Sequence, residues 1–218
     1  MLKKYRIHII ITTLIMFLPM IFGAIIWNKL PDEIPIHWGI NGEPDQFGTR
    51  AVAVFVVPLI PLVVHWICIL ATAFGRRAKD QNSKVIVLVL FICPLLSIVI
   101  SSAMYLTVFG KSVDISLVIL LFVGFIFALI GNYMPKCMQN KYIGIRVKWT
   151  LRDEDNWHAT HRLASKLWLF GGIAIMGIAF LPDIIAFIST MCVLVLVTAV
   201  PIIYSYRFSK KKAESKSA

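Results

Sequence analysis

The chain has 218 residues, of which 59% are hydrophobic and 15% are charged, and its mean hydropathy is +0.82. This composition is typical of a multi-pass membrane protein and leaves too little polar sequence for a separate soluble domain, so we expect a single membrane domain over residues 1–218. The net charge of +11 would favour nucleic-acid binding in a soluble protein. Here the basic residues follow a membrane-topology pattern, and we expect no direct nucleic-acid partner.

Six long apolar runs predict transmembrane helices and therefore an all-α fold. A helix needs about 20 mostly apolar residues to cross the hydrocarbon core, and the fourth and fifth runs are near the lower limit. None of the six contains Asp, Glu or Arg. The predicted spans are Ile7–Trp27, Ala51–Phe74, Val85–Phe109, Ile115–Gly131, Ala164–Leu181 and Ile184–Tyr206.

The positive charges orient these spans. Nineteen of the 22 Lys and Arg residues lie in the N-terminus, the second and fourth connections and the C-terminal tail. The remaining three are Lys29, Arg50 and Lys111. Cytoplasmic flanks of membrane helices hold the excess of Lys and Arg, and six spans put both ends on one side. Both termini are therefore predicted to be cytoplasmic.

The first connection, residues 28–50, is predicted to be an ordered extracellular loop. Its three prolines, three glycines and Asn-Gly pair favour turns and extended pieces over a helix. It also carries apolar residues that a merely solvated loop would not need: Ile34, Ile36, Trp38, Ile40 and Phe47. We expect this loop to lie against the outer membrane surface, where it either caps the helix bundle or contacts a ligand.

The fourth connection, residues 132–163, is predicted to be a cytoplasmic loop that includes a helix. Thr150 stands in an N-cap position, with Asp153 three residues later and further acidic residues in the first turn. From there Trp157, His161 and Ala164 recur on one helical face that runs into the fifth span. We therefore predict an amphipathic helix along the inner leaflet, with the Trp157 face buried in the headgroup region or against the bundle.

Other features of the sequence are less specific. The basic tail, residues 207–218, is polar, and we expect it to be disordered and to lie at anionic lipid. The four cysteines form no CxxC motif and no zinc-type cluster with histidine, so we predict no disulfide framework, metal or cofactor. Gly124 and Ala128 form a small-xxx-small pair, which predicts close packing with a neighbouring helix or, in a homodimer, with a second copy.

The segment from Gln139 to Gly172 resembles the hallmark of the SdpI family of bacterial membrane proteins, and the loop LPDEIPIHWGINGEPDQFGTR looks like the N-terminal domain of unknown function often found with it. Val147 and Lys148 stand where the family commonly has Thr-Pro, which affects the bend before Trp149. The matching positions are Asn140, Ile143, Gly144, Ile145, Arg146, Trp149, Thr150, Leu151, Trp157, Thr160, His161 and Arg162.

This resemblance implies an immunity protein of the bacterial cytoplasmic membrane that gives resistance to a secreted peptide toxin. It also implies a receptor that holds a small transcriptional repressor at the inner membrane face once toxin is engaged outside. The residues assigned to toxin contact are Pro35, His37, Trp38, Asn41 and Gly42. The residues assigned to the cytoplasmic motif and the partner surface are Asn140, Gly144, Arg146, Trp149, Thr150, Trp157, Thr160, His161 and Arg162.

Two other classes of function compete with this interpretation. An ion-coupled or small-molecule transporter would need ionisable groups in the membrane, and His65 is the main candidate within the spans. A neutral His65 that is hydrogen-bonded to a neighbouring helix is the simpler interpretation. An intramembrane enzyme is disfavoured because His158 and His161 lack both an H-E-x-x-H pattern and an obvious third metal ligand, and no G-x-S-x-G motif is present. We therefore expect no enzymatic activity.

Overall fold

The computed structural model describes residues 2–73, 81–111 and 113–217. The described chain is an all-α membrane protein with one added β-hairpin. Five helices are long and apolar enough to cross a membrane: α1 (Arg6–Ile25), α2 (Val57–Ala73, entered through a π-helical turn at Val52–Val56), α3 (Ser83–Val108), α4 (Ile115–Tyr133) and α7 (Asp183–Ser217). Between α4 and α7 lie α5 (Lys148–Arg152) and α6 (Glu154–Ile178), and α6 is not among the five.

The chain divides into two compact units. The first comprises Met1–Ala71 and Val87–Ile119, and the second comprises Thr72–Ile86 and Leu120–Ala218. The predicted end of the second span at Phe74 and the basic residues of the second connection up to Lys79 lie outside the described residues.

In the first unit, the connection after α1 forms an antiparallel hairpin of β1 (Glu33–Trp38) and β2 (Pro44–Thr49). The turns and extended pieces expected here are thus organised as a sheet of two strands. Ile34 is fully buried in a cluster with Leu30, Val54 and Met104, and Trp38 packs against its edge. The hairpin is therefore seated on the helix ends by the apolar residues that a solvated loop would not need.

Tyr105 joins the helices beneath the hairpin. Its hydroxyl donates a hydrogen bond of 2.9 Å to the carbonyl of Pro19 in α1. A Cβ on Gly23 would collide with this hydroxyl and approach Val54, so the close contact depends on glycine at that position.

In the second unit, α6 packs between α4 and α7. Gly172 of α6 lies directly against the backbone of Gly124 and Ala128 in α4. The small-xxx-small pair predicted in the fourth span therefore packs against a neighbouring helix of the same chain. On the other side, the indole Nε1 of Trp168 donates to the carbonyl of Val197 in α7 at 3.0 Å. This carbonyl lacks its usual helical donor because Pro201, four residues later, has no N–H.

Two expectations for the second unit were wrong. Thr150 does not cap the long helix: it is the third residue of the short α5, and Asp153 is the N-cap of α6, where it accepts from Asp155 N at 3.2 Å. The helix with the acidic first turn therefore begins at Glu154, after the N-cap Asp153, and not directly after Thr150. The helix that was expected to run into the fifth span is α6, which is continuous from Glu154 to Ile178. Finally, the tail predicted to be disordered continues α7 as a helix to Ser217.

Candidate functional site

The family motif forms a loop, residues 137–152, that is folded onto the first turns of α6. We call it the motif loop. Trp157 of α6 is fully buried, and its Nε1 donates to the carbonyl of Cys137 at 2.8 Å. Its ring stacks on that of His161, with centroids 4.0 Å apart and an angle of 20° between the planes. These two rings form the platform on which the motif loop rests.

The hydrogen bonds of His161 fix its tautomer. Ile145 N donates to Nε2 at 3.1 Å, so Nε2 carries no proton, and Nδ1 lies 2.8 Å from the carbonyl of Trp157, to which it donates. Burial lowers the pKa of His161 to about 4, which keeps the ring neutral at physiological pH. Gly144 has φ +105°, and a Cβ there would collide with Nε2, so only glycine allows the motif loop to approach this ring.

Two polar side chains hold the motif loop in shape from within. The amide oxygen of Asn140 accepts from the N–H groups of Tyr142 and Ile143, both at 2.7 Å, and its nitrogen donates to the carbonyls of Met138 and Ile143 at 2.8 Å. Thr150 donates to the carbonyl of Ile145 at 2.7 Å and accepts from Val147 N at 3.2 Å. All of these bonds are local, so both residues act on the loop conformation.

A buried polar cluster ties α6 to α7 next to the motif loop. Thr160 and Ser205 both donate to the side-chain oxygen of Asn156, at 2.9 and 2.8 Å, and the Asn156 nitrogen donates to the carbonyl of Ser205 at 2.9 Å. All three residues are fully buried. The motif pattern pointed to Thr160 but not to Asn156 or Ser205. The four-residue spacing of Asn156 and Thr160, parallel to that of Trp157 and His161, was the available signal.

Two further contacts of the second unit were not foreseen. Gln81, just before α3, donates to the carbonyl of Met138 at 2.8 Å and accepts from Met138 N at 3.2 Å. At the end of α7, Lys212 bridges Asp153 and Asp155 at 2.8 and 2.7 Å. Hydrogen bonds to both carboxylates raise the pKa of Lys212. The hydrogen bond between Lys212 and Asp155 lowers the pKa of Asp155. The N-terminus of α6 is thereby joined to the end of the chain.

The remaining motif residues are accessible. Arg146 and Arg162 are exposed, and Arg146 donates to the carbonyl of Lys141 at 3.1 Å. Trp149 is half-buried beside Tyr206, with ring centroids 5.1 Å apart. The motif thus divides into a buried set, which builds the loop, and an exposed set with two arginines. The buried set is Asn140, Thr150, Trp157, Thr160 and His161.

The hairpin of the first unit brings together the residues assigned to toxin contact, but only two of them are exposed. His37 and Asn41 are exposed, Pro35 is buried opposite Phe47 in the sheet, and Trp38 is half-buried against the apolar cluster. Gly42 has φ +72° in the turn and lies against Ser116 at the start of α4.

The exposed face of the hairpin combines charged and apolar groups. His37 Nδ1 lies 2.6 Å from a carboxylate oxygen of Asp45, and the apolar side chains of Ile40 and Phe47 are 53% and 55% exposed. Exposed apolar side chains on an ordered, rigidly seated loop are a common feature of binding surfaces. This face was not singled out in the sequence because Phe47 and Asp45 join it only through strand pairing.

His65, the candidate ionisable group of a transporter, has a structural partner in the first unit. Thr12 Oγ1 donates to the carbonyl of His8 at 2.8 Å, so it accepts from His65 Nε2 at 3.2 Å. His65 Nδ1 is buried and has no hydrogen-bond partner among the described residues. The neutral Nε2–H tautomer fits this arrangement, because a second proton would be left unpaired. Within the same described residues, no group of three His, Cys, Asp or Glu residues could hold a metal ion.

The apolar helices and the motif loop define the class of this protein. Residues 136–205 match the SdpI/YfhL protein family, and residues 14–62, which include the hairpin, match a domain of unknown function, DUF1648. Residues 136–205 therefore carry an SdpI-family domain, and this match together with the five apolar helices supports a multi-pass protein of the bacterial cytoplasmic membrane.

One curated relative is similar along almost the whole chain. Immunity protein SdpI of Bacillus subtilis (strain 168) is 29% identical over 206 residues, which cover 93% of this chain and 96% of the relative. No solved structure matches the chain.

Proposed function

We propose that this protein protects the bacterium that makes it against a secreted antimicrobial peptide. The observation that carries the proposal is the similarity to an immunity protein over 93% of the chain, which includes both the hairpin and the motif loop. A similarity confined to the helices would reflect membrane composition alone, whereas this one also covers the two ordered connections where specific contacts are made.

The proposal includes six membrane crossings with both termini in the cytoplasm. Helix α6 has 25 residues, of which residues 164–178 lie in the predicted fifth span and are about 22 Å long. With the turn up to Leu181 the span is near the lower limit for a hydrocarbon core of about 30 Å. Helix α6 runs antiparallel to α7: Asn156 near its start meets Ser205, and Trp168 further along meets Val197. A helix packed in this way beside a spanning helix traverses the same depth. Its lower hydropathy arises from the polar residues before the predicted span, up to Arg162, and from Lys166 within it.

The exposed face of the hairpin is the proposed toxin-contact surface. His37 and Asn41 contribute directly, and we add Ile40, Asp45 and Phe47 because they are exposed beside them. Pro35, Trp38 and Gly42 support this surface from beneath. The hairpin carries four carboxylates between Asp32 and Asp45 against two basic residues, Lys29 and Arg50, in the whole connection. This excess of negative charge would favour a cationic peptide.

A second role, holding a transcriptional repressor at the inner face, is proposed for the exposed part of the motif. Arg146 and Arg162 are accessible, and the guanidinium group offers directional donors suited to carboxylates of a protein partner. The separation of the motif into buried and exposed residues favours two roles, since loop construction alone would not require exposed arginines.

The protective role can be tested in the bacterium that carries the gene. Cells that lack the gene are exposed to spent medium of the parent strain, and survival is compared after complementation. We expect deletion to sensitise the cells, wild-type protein to restore survival, and the double variant His37→Ala with Phe47→Ala to restore it poorly at equal membrane levels. Asn28→Ala, outside the exposed hairpin face, is the matched control. Full survival of the deleted strain in this medium and in medium from neighbouring strains would contradict the protective role, and full protection by the double variant would contradict the contact surface.

A further inference from the structure

A cavity of about 220 Å³ opens beside the motif loop in the second unit. On one side it is lined by Gly144 to Val147, and on the other side by residues of α6 and α7. The helix residues that line it are Trp168, Val197, Thr198 and Ile202. Arg146 is the charged residue of the lining, so the side of Arg146 is the polar end and the mostly apolar side of α6 and α7 is the apolar end.

The apolar end is built rigidly around the proline of α7. Pro201 leaves the carbonyl of Val197 without its helical donor, and Trp168 supplies one at 3.0 Å. The Trp168 ring is held in turn by Phe127, with centroids 4.6 Å apart and an angle of 18° between the planes. A preformed apolar wall of this kind binds a hydrocarbon chain without first having to order its own side chains.

The polar end has one charged lining residue, Arg146, in a basic stretch of the sequence. Between Asp114 and Asp153 the sequence has five Lys and Arg residues and no carboxylate. Of the three carboxylates that follow, Asp153 and Asp155 are bridged by Lys212. Of the five N–H donors of Arg146, one is used in the hydrogen bonds of the described residues, to the carbonyl of Lys141. The guanidinium group can therefore bind an anionic oxygen at the mouth of the cavity.

We propose that this cavity binds an anionic phospholipid of the inner leaflet, with the phosphate at Arg146 and the start of one acyl chain against Trp168, Val197 and Ile202. A water-sized group occupies about 30 Å³, so the cavity holds roughly seven such groups. This volume is enough for the glycerol region and the first methylenes of one acyl chain, but not for a whole lipid. The site lies where the motif loop meets the cytoplasmic ends of the fifth and sixth spans. The proposal rests on the membrane orientation given above and is independent of protection against a peptide. It assigns Arg146 to the lipid, which leaves Arg162 as the motif arginine that is free to contact a repressor.

The test uses full-length protein purified in a non-ionic detergent and two lipids with the same acyl chains, phosphatidylglycerol and phosphatidylcholine. Binding is measured by native mass spectrometry and by the shift in melting temperature. We expect selective retention of phosphatidylglycerol. Arg146→Ala should weaken it roughly ten-fold, as expected for the loss of one charge-assisted hydrogen bond. Arg152→Ala, an exposed arginine of α5 that does not line the cavity, is the matched control and should behave as wild type.

A second variant tests the apolar end. Thr198→Phe adds a ring from an exposed lining position and should prevent retention of either lipid at this site while the purified protein stays monodisperse. Inorganic phosphate alone should produce no comparable shift in melting temperature, which distinguishes a lipid from a free anion. Equal binding of the two lipids by the wild type, or equal binding of phosphatidylglycerol by the Arg146→Ala and Arg152→Ala variants, would overturn the proposal. Because Arg146 is exposed, its variant decides the matter even if Thr198→Phe fails to fold.

Discussion

At the scale of single residues, His161 illustrates how a motif position can be essential without being exposed. Its ring accepts from the motif loop at Nε2, donates within α6 at Nδ1 and stacks on Trp157. The sequence could place Trp157 and His161 on one helical face, because their spacing is helical. It could not indicate that Nε2 meets Ile145, since that contact depends on the left-handed backbone at Gly144.

Removing the His161 ring should destabilise the protein. His161→Ala leaves the Ile145 N–H without its acceptor, and an unsatisfied buried polar group costs about 1–3 kcal/mol. We expect a lower melting temperature in detergent. His158→Ala, three residues earlier on the same helix, is the control because His158 is exposed. An equal melting temperature for the two variants would show that the ring is not part of the folded core.

The neutral state of His161 also predicts a dependence of stability on pH. The pKa is about 4 in the folded protein and 6.5 as the ordinary value, so between these values the unfolded chain binds a proton that the folded chain does not. Stability is therefore highest above pH 6.5 and falls as the pH is lowered towards 4, by up to about 3 kcal/mol in total. Thermal unfolding of wild type and His161→Ala across this range should show a smaller loss in the variant. Parallel pH profiles would contradict this assignment.

At the scale of elements, five of the six predicted spans are helices long and apolar enough to cross a membrane, because length and apolar composition are properties of contiguous residues. Prediction from the sequence failed where an element is defined by a partner elsewhere. The hairpin register depends on pairing between β1 and β2, and the helical tail depends on Lys212 reaching Asp153 across 59 residues. Helix α6 was predicted to run into the fifth span, but its start was placed at Thr150, because the sequence could not show that the short α5 intervenes.

The packing of α6 on α4 gives a prediction with a control on the same helix. Gly172→Ala would place a Cβ against backbone atoms of Gly124 and Ala128, and backbone atoms cannot shift aside as the end of a flexible side chain can. Overpacking of this kind costs about 1–3 kcal/mol. Gly177→Ala meets no atom within 4 Å and should be neutral or slightly stabilising, because alanine favours a helix by about 1 kcal/mol over glycine. Melting temperatures of the two purified variants test this. A Gly172→Ala protein as stable as the Gly177→Ala protein would show that α4 and α6 do not pack closely.

At the scale of the whole molecule, the account depends on how many times the chain crosses the membrane. Six crossings put the hairpin outside and the motif loop inside. A secreted peptide would then meet the hairpin, and a cytoplasmic partner would meet the motif loop. Hydropathy alone supports five helices, and the sixth rests on the antiparallel packing of α6 between α4 and α7. If α6 did not cross, the connection before α7 would face the cytoplasm and the C-terminus would lie outside.

Cysteine labelling at that connection tests this most directly. In a variant whose four native cysteines are replaced, single cysteines are introduced at Gln46, Pro182 and Lys141, all exposed positions, and intact cells are treated with a membrane-impermeant maleimide. We predict labelling at Gln46 and Pro182 in intact cells, and at Lys141 only after the membrane is permeabilised. Protection of the Pro182 position in intact cells, with Gln46 labelled, would contradict the six-span account.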